Sequence, residues 1–257
     1  MNEKATAEKI DEAIRLFRNA ERIMTFTGAG ISTESGLSDF RSPGGLWSRY
    51  RMVTYQEFLE SAKGRREYWA MRRELIPELL RARPNKAHKA LAELEKIGKM
   101  EAVITQNIDG LHQDAGSSRV LELHGTNRTA SCLGCGRQWP IEPIQQQLEE
   151  GNLDPRCDSC AGLIKPDTVS FGQAMPQDVM AEAFSLAETC DLLLMIGSSL
   201  EVHPAASIPP AAHQYGARLI FINRTRTPLD HLADILFRES AGEILEAIVN
   251  GLQNDCA

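Results

Sequence analysis

Cys132-Leu-Gly-Cys135 and Cys157-Asp-Ser-Cys160 are two C-x-x-C pairs with 21 residues between them. Each pair can place two thiolates on one ion, and two pairs complete a tetrahedral four-sulfur set. Four protein ligands leave no position for water or substrate, so the spacing points to a structural zinc. A redox dithiol is the competing reading of either pair. The run Thr27-Gly28-Ala29-Gly30-Ile31-Ser32-Thr33-Glu34-Ser35-Gly36 carries a different chemistry, because its glycines let backbone approach a diphosphate. Its G-x-G-x5-G spacing departs from the G-x-G-x-x-G of the usual dinucleotide fingerprint. A tight strand-to-helix turn without ligand is the alternative.

Thr105-Gln106-Asn107-Ile108-Asp109-Gly110-Leu111-His112 gathers amide, carboxylate and imidazole groups in one short segment. Such groups can read a ribose, an amide or a carboxamide, and one of them can equally cap the helix after Asp109. His124, between an apolar run and Gly125, is a candidate general base, because an imidazole titrates near working pH. A structural histidine is the alternative. His88, His112, His203, His213 and His231 compete for the role, and His88, inside a helical pattern, reads as a packing or capping residue. Gly197-Ser198-Ser199 and Asn223 add polar groups further along, each also unremarkable as a loop residue.

The elements that must position these groups follow from the apolar pattern. Residues 22–26, 102–105, 120–123, 192–196 and 218–222 read as strands, and each polar segment begins where one of them ends. The run 192–196 is continuously apolar, as expected of a parallel strand buried on both faces. Residues 85–99 read as an amphipathic helix with Ala87, Leu91, Leu94 and Ile97 on one face, and 242–252 as a closing helix. Strands alternating with helices imply an α/β fold. Two stretches break the rhythm. Residues 35–83 are rich in Arg, Trp and Tyr, with helical patterning from about residue 57. Residues 126–166 hold four of the six cysteines, with a helical piece at 141–150.

At roughly 150 residues per domain, 257 residues correspond to one large domain with a satellite. Lys+Arg 28 against Asp+Glu 35 gives a net charge of −7, which disfavours a protein that grips nucleic acid or an anionic membrane. The longest apolar run falls far short of the ~18 residues of a membrane span. The N-terminal stretch has no secretory apolar core, so a cytoplasmic protein is expected, whose cysteines serve as ligands or free thiols. Cys190 reads as a small buried hydrophobe and Cys256 as part of a frayed tail.

Taken in order, these segments resemble the sirtuin family of NAD-dependent protein lysine deacylases. The residues that carry the resemblance are Gly28-Ala-Gly-Ile-Ser32 with Ser38-Asp39-Phe40-Arg41, Thr105-Gln-Asn-Ile-Asp-Gly-Leu-His112, and Glu122-Leu-His-Gly125. They continue through the cysteine pairs, Lys165-Pro-Asp-Thr-Val-Ser-Phe-Gly172, Gly197-Ser-Ser199 and Asn223. The resemblance implies a Rossmann-like parallel sheet with helices on both faces, from residues 1–35, 85–127 and 171–257. A smaller zinc-ribbon and helical domain would be formed by two insertions, 36–84 and 128–170. NAD and an acetylated peptide would meet in the cleft between them, with one structural zinc per chain and no membrane or direct nucleic-acid contact.

The resemblance also implies residue roles. His124 matches the general base, Asn107 and Asp109 the groups at the nicotinamide end, and Gln106 a ribose contact. Gly28, Ala29, Gly30, Ile31, Ser32, Thr33, Phe40 and Arg41 match the loop around the diphosphate. Ile108, Gly197, Ser198, Ser199, Asn223 and Ala241 match further cofactor contacts. The peptide would lie extended along Val169-Ser-Phe171 and Leu200-Glu-Val202, with Ile108, Val169, Phe171, Gly172 and Val202 touching it. In the family's reaction the acetyl group passes from lysine to ADP-ribose and nicotinamide is released. Ser38 stands where proline is usual, and Gln173 where glutamate is. Sirtuins that prefer succinyl or malonyl groups present a Tyr-x-x-Arg pair; aligning Tyr68-Trp-Ala-Met-Arg-Arg73 puts Trp69 at the tyrosine and Arg72 at the arginine. Desuccinylation, other deacylation and protein mono-ADP-ribosylation are the alternative activities. A zinc-ribbon binding module is the non-enzymatic one.

Overall fold

The computed structural model describes residues 3–38 and 50–254. Phe40, Arg41 and Cys256 lie outside the described residues. Six strands form one sheet in the order β3-β2-β1-β7-β8-β9, all neighbours parallel. They are β1 (Ile23–Thr27), β2 (Ala102–Thr105), β3 (Val120–Glu122), β7 (Leu192–Ile196), β8 (Arg218–Ile222) and β9 (Ile235–Phe237). The strand order reverses between β1 and β7, the switch point beside which open α/β sheets hold their ligands.

The apolar runs make this sheet central because successive side chains alternate between its faces. Ile23, Leu192, Leu194, Ile196, Ile220 and Ile222 pack on one side against α1 (Glu3–Asn19), α4 (Lys86–Lys96) and α9 (Ala241–Gln253). Met24, Phe26, Leu193, Met195, Leu219 and Phe221 pack on the other against α7 (Gln177–Ala187) and α8 (Ile208–Gln214). Each fully buried side chain of this size contributes roughly 1.5–3 kcal/mol of transfer free energy.

A third core lies apart from the sheet. Phe58, Trp69, Ile76 and Leu79, from α2 (Tyr55–Glu60) and α3 (Ala62–Arg81), pack against Ile141, Ile144 and Leu148 of α6 (Ile141–Glu149) and against Cys132 and Cys157. Two segments distant in sequence thus share one interior. Arg65 of α3 reinforces the join, donating to Asp154 at 2.8 Å with its own side chain 8% exposed. The cysteine segment also contains a three-stranded antiparallel sheet, β5-β4-β6, built from β4 (Gly125–Cys132), β5 (Gln138–Pro140) and β6 (Ile164–Thr168). Its strands escape the sequence reading because β5 is short and polar and the β4–β6 register shifts between Gly125 and Ala130. Among the described residues no helix is long and apolar enough to cross a membrane.

Candidate functional site

Strand register brings the polar segments to one level. Thr27 is aligned with Thr105 and Ile196, Thr105 with Glu122, and Ile196 with Ile222. Residues 28, 106, 123, 197 and 223 therefore leave the sheet along a common edge. Gly28, Gln106 and Gly197 each extend the ladder by one backbone bond, at 3.0, 3.0 and 3.1 Å. The loops after β1 and β7 then interlock. The Gly30 N–H donates to the Gly197 carbonyl at 2.8 Å, and a Cβ on Gly30 would sit 2.6 Å from Gly197 Cα. Gly197 itself has φ +64, the left-handed region that favours glycine. A single 3-10 stretch, Ala29–Ser35, follows β1 and stops at Gly36.

A cavity of about 800 Å³ opens above this edge. Gly28, Ala29, Gly30, Thr33, Gln106, Asn107, Ile108 and His124 line one part of it. Val169, Phe171, Gly172, Gly197, Ser198, Ser199, Val202, Asn223 and Ala241 line the remainder. Ile31, Ser32 and Asp109 do not line the cavity. Ile31 is fully buried in the sheet core, and Ser32 and Asp109 stand behind the wall. There the Ser32 hydroxyl donates to Asp109 Oδ2 at 2.7 Å, and Asn107 Nδ2 donates to Ser32 Oγ and to the Gly28 carbonyl, both at 3.2 Å. Asp109 Oδ1 also accepts from Leu111 N at 3.0 Å, capping α5 (Leu111–Ala115). Burial pushes the Asp109 carboxyl above its ordinary value, against these donors.

His124 Nδ1 lies 2.9 Å from the Gln106 carbonyl oxygen. A carbonyl only accepts, so Nδ1 carries the proton and Nε2 of the neutral ring keeps its lone pair. Burial lowers the His124 pKa, with the Gln106 bond opposing it. His88 is instead part of a capping box with Asn85 at the start of α4.

Sequence reasoning missed the helical wall of the cavity. Tyr68, Met71, Arg72 and Leu75 of α3 line it, a spacing of one helical face. Trp69, which aligns with the tyrosine of the Tyr-x-x-Arg pair, is fully buried in the third core, and its neighbour Tyr68 faces the cavity. Arg72 is held by neutral acceptors, Asn127 Oδ1 and Thr168 Oγ1, both at 2.8 Å. Buried Lys165 donates to the Pro166 and Thr168 carbonyls.

The four cysteine Sγ atoms lie within 4.8 Å of one another, with Cys132–Cys160 at 3.5 Å and Cys135–Cys157 at 3.7 Å. A tetrahedron with Zn–S near 2.3 Å requires sulfurs roughly 3.8 Å apart, so the set is compatible with a structural zinc. The nearby cations are paired: Arg128 with Asp114, Arg137 with Asp158 and Arg156 with Asp154.

Comparison with known proteins agrees with this architecture. Residues 28–204 match the Sir2 family model. An NAD-dependent protein deacetylase of Thermodesulfovibrio yellowstonii is 52% identical over 248 residues, covering 96% of this chain and 97% of that protein. A protein of the same description from Rhodopseudomonas palustris is 46% identical over 236 residues, covering 91% and 93%. A solved Sir2 with p53 peptide and NAD+ superposes with a TM-score of 0.87 at 36% identity, covering 96% of this chain and 99% of that one. A Sir2 bound to acetylated peptide gives 0.86 at 36% identity, covering 95% and 99%. The chain belongs to the Sir2 family.

Proposed function

We infer that the chain is an NAD-dependent protein lysine deacetylase, transferring acetyl from lysine to ADP-ribose. The observation that carries the reading is the meeting, in one cavity, of His124 with Gln106, Asn107 and Ile108, braced from behind by Ser32 and Asp109. Bound NAD would supply the ribosyl carbon that bonds the acyl oxygen as nicotinamide leaves, and the ribose hydroxyl that takes the acetyl group. Gly28, Ala29, Gly30 and Thr33 would border its diphosphate, and Ser198, Ser199, Asn223 and Ala241 its adenosine. Asn107, held by Gly28 and Ser32, and Asp109, held by Ser32 and Leu111, would keep the nicotinamide end rigid. Such preorganised dipoles stabilise developing charge without reorganising during reaction.

His124 Nε2 would take the proton from a ribose hydroxyl, since its tautomer leaves that nitrogen as acceptor and burial keeps the ring neutral. The acetylated peptide would lie extended between 169–172 and 200–202, bound by strand addition. Apolar Val53, Met71, Leu75 and Ile108 on the cavity wall would exclude water around the acetyl group. Incubation with NAD and an acetyl-lysine peptide tests the reading through nicotinamide release. Cytoplasmic residence is part of the proposal, supported by a cysteine set suited to metal binding.

A second acyl class is favoured by one observation. Arg72 and Lys165 are buried and form no salt bridge among the described residues, and Arg72 lies over the Tyr68 ring at 5.1 Å on the cavity wall. The Arg72 guanidinium at the cavity wall would attract the carboxylate of a succinyl or malonyl group. Arg72 already serves Asn127 and Thr168, so acetyl remains the leading substrate.

A further inference from the structure

Behind the segment Gln106–Asp109 runs a buried polar chain that the mechanism above does not use. Thr27 and Thr105 end neighbouring strands, and the Thr27 hydroxyl donates to Thr105 Oγ1 at 2.8 Å. Thr105 Oγ1 also accepts the Asn107 backbone N–H at 3.0 Å. Thr27 Oγ1 lies 3.0 Å from His112 Nε2. We assign the Thr27 proton to Thr105, which makes Thr27 the acceptor from His112. His112 is thereby the Nε2–H tautomer, with a bare Nδ1.

A second histidine completes the pattern. His88 Nδ1 accepts the Asn85 N–H at 3.4 Å, which makes the neutral His88 ring an Nε2–H donor. The two rings are tilted at 60° with centroids 4.9 Å apart. His88 Nε2 and His112 Nδ1 are the two ring nitrogens that have no hydrogen-bond partner, and they are donor and acceptor respectively. The pair is matched in sense, one nitrogen able to donate and the other to accept. Both rings are inside the protein, 0% and 1% exposed. Burial lowers their pKa values to about 4 and about 3, so both stay neutral at working pH.

We propose that His112, supported by His88, is a positioning residue: its Nε2–H orients the Thr27 and Thr105 hydroxyls, which hold the Asn107 N–H and with it the segment Gln106–Asp109. The proposal rests on the deacetylase reading for the function of that segment, not for the hydrogen-bond chain itself. Small displacements of reacting groups carry large rate penalties, so loosening this chain lowers kcat, while of the peptide-contacting residues only Ile108 lies in the segment it holds.

Three variants and one spectrum test it. Thr27→Val keeps the shape and removes the hydroxyl; His112→Phe removes the donor; His112→Gln retains one. Thr27→Val and His112→Phe are expected to lower kcat about 100-fold with a far smaller change in the KM for acetyl-peptide, and His112→Gln to recover most of the loss. Wild-type kcat in a folded Thr27→Val protein overturns the proposal. Nitrogen-15 spectra of the wild-type histidines decide it independently of activity. Nε2–H tautomers for His88 and His112 that do not titrate between pH 5 and 8 are expected, and an Nδ1–H tautomer at His112 overturns it. A wild-type protein that releases no nicotinamide contradicts the deacetylase reading alone, and the spectrum still decides the relay.

Discussion

His124 Nδ1 is 2.9 Å from the carbonyl oxygen of Gln106, so the residue that would remove a proton is oriented by the segment that would hold the cofactor. The base and the binding loop therefore move as one unit. His124→Ala is expected to lower deacetylation by about 10²–10⁴-fold, the usual range for a positioned acid–base group. Circular dichroism and the melting curve should show a folded protein. Full activity in that variant would remove His124 from the mechanism.

Stability should depend on pH through the buried histidines. With the His88 pKa at about 4 and that of His112 at about 3, the folded chain stays deprotonated where the unfolded chain, near 6.5, has taken up protons. Stability is therefore lost as the pH falls from about 6.5 towards 4, and gained as it rises. Asp109 and Glu122, whose buried carboxyls are pushed upward, act in the opposite sense. Comparing His112→Gln with wild type isolates the imidazole. The variant's melting temperature should fall less steeply with acid, and parallel curves would contradict the buried neutral ring.

The α/β architecture is legible in the sequence because a strand covered on both faces must be apolar throughout, as Leu192–Ile196 is. The metal set is legible because ligand spacing is local. The helical wall is less so. Tyr68 and Trp69 are adjacent, and only packing decides that Trp69 fills the third core while Tyr68 faces the cavity. Ile31 and Ser32 sit in a loop that reads as ligand-contacting, yet the tight 3-10 stretch turns both inward. The link from His112 to Asn107 runs through Thr27 and joins the two polar segments 27–36 and 105–112, and only the strand register shows that they meet.

Metal removal should act on the small module. Chelation or Cys135→Ser is expected to unfold or loosen the third core, since Cys132 and Cys157 belong to it. Atomic spectroscopy should find one zinc per chain. Unchanged tryptophan fluorescence with selective loss of one chemical step would contradict a structural role.

The interlocked loops predict a sharp effect at Gly197. Gly197→Ala puts a Cβ at φ +64 against the backbone of Gly30 and Ile31. The dihedral alone costs on the order of 1–3 kcal/mol. The melting temperature and NAD affinity should both fall, measured by calorimetry. A variant with unaltered NAD binding would show that the two loops are not held by this contact.

An acyl-peptide panel separates the two substrate readings. Acetyl-peptide should be the better substrate, and Arg72→Met should lower any succinyl activity more than acetyl activity. Equal effects on both would assign Arg72 to bracing Asn127 and Thr168 alone.

The most direct measurement is the product balance of one incubation with NAD and an acetyl-lysine peptide, followed by mass spectrometry. Deacetylase chemistry predicts nicotinamide, deacetylated peptide and O-acetyl-ADP-ribose in equal amounts. ADP-ribose attached to protein, with the acetyl-lysine intact, would contradict it.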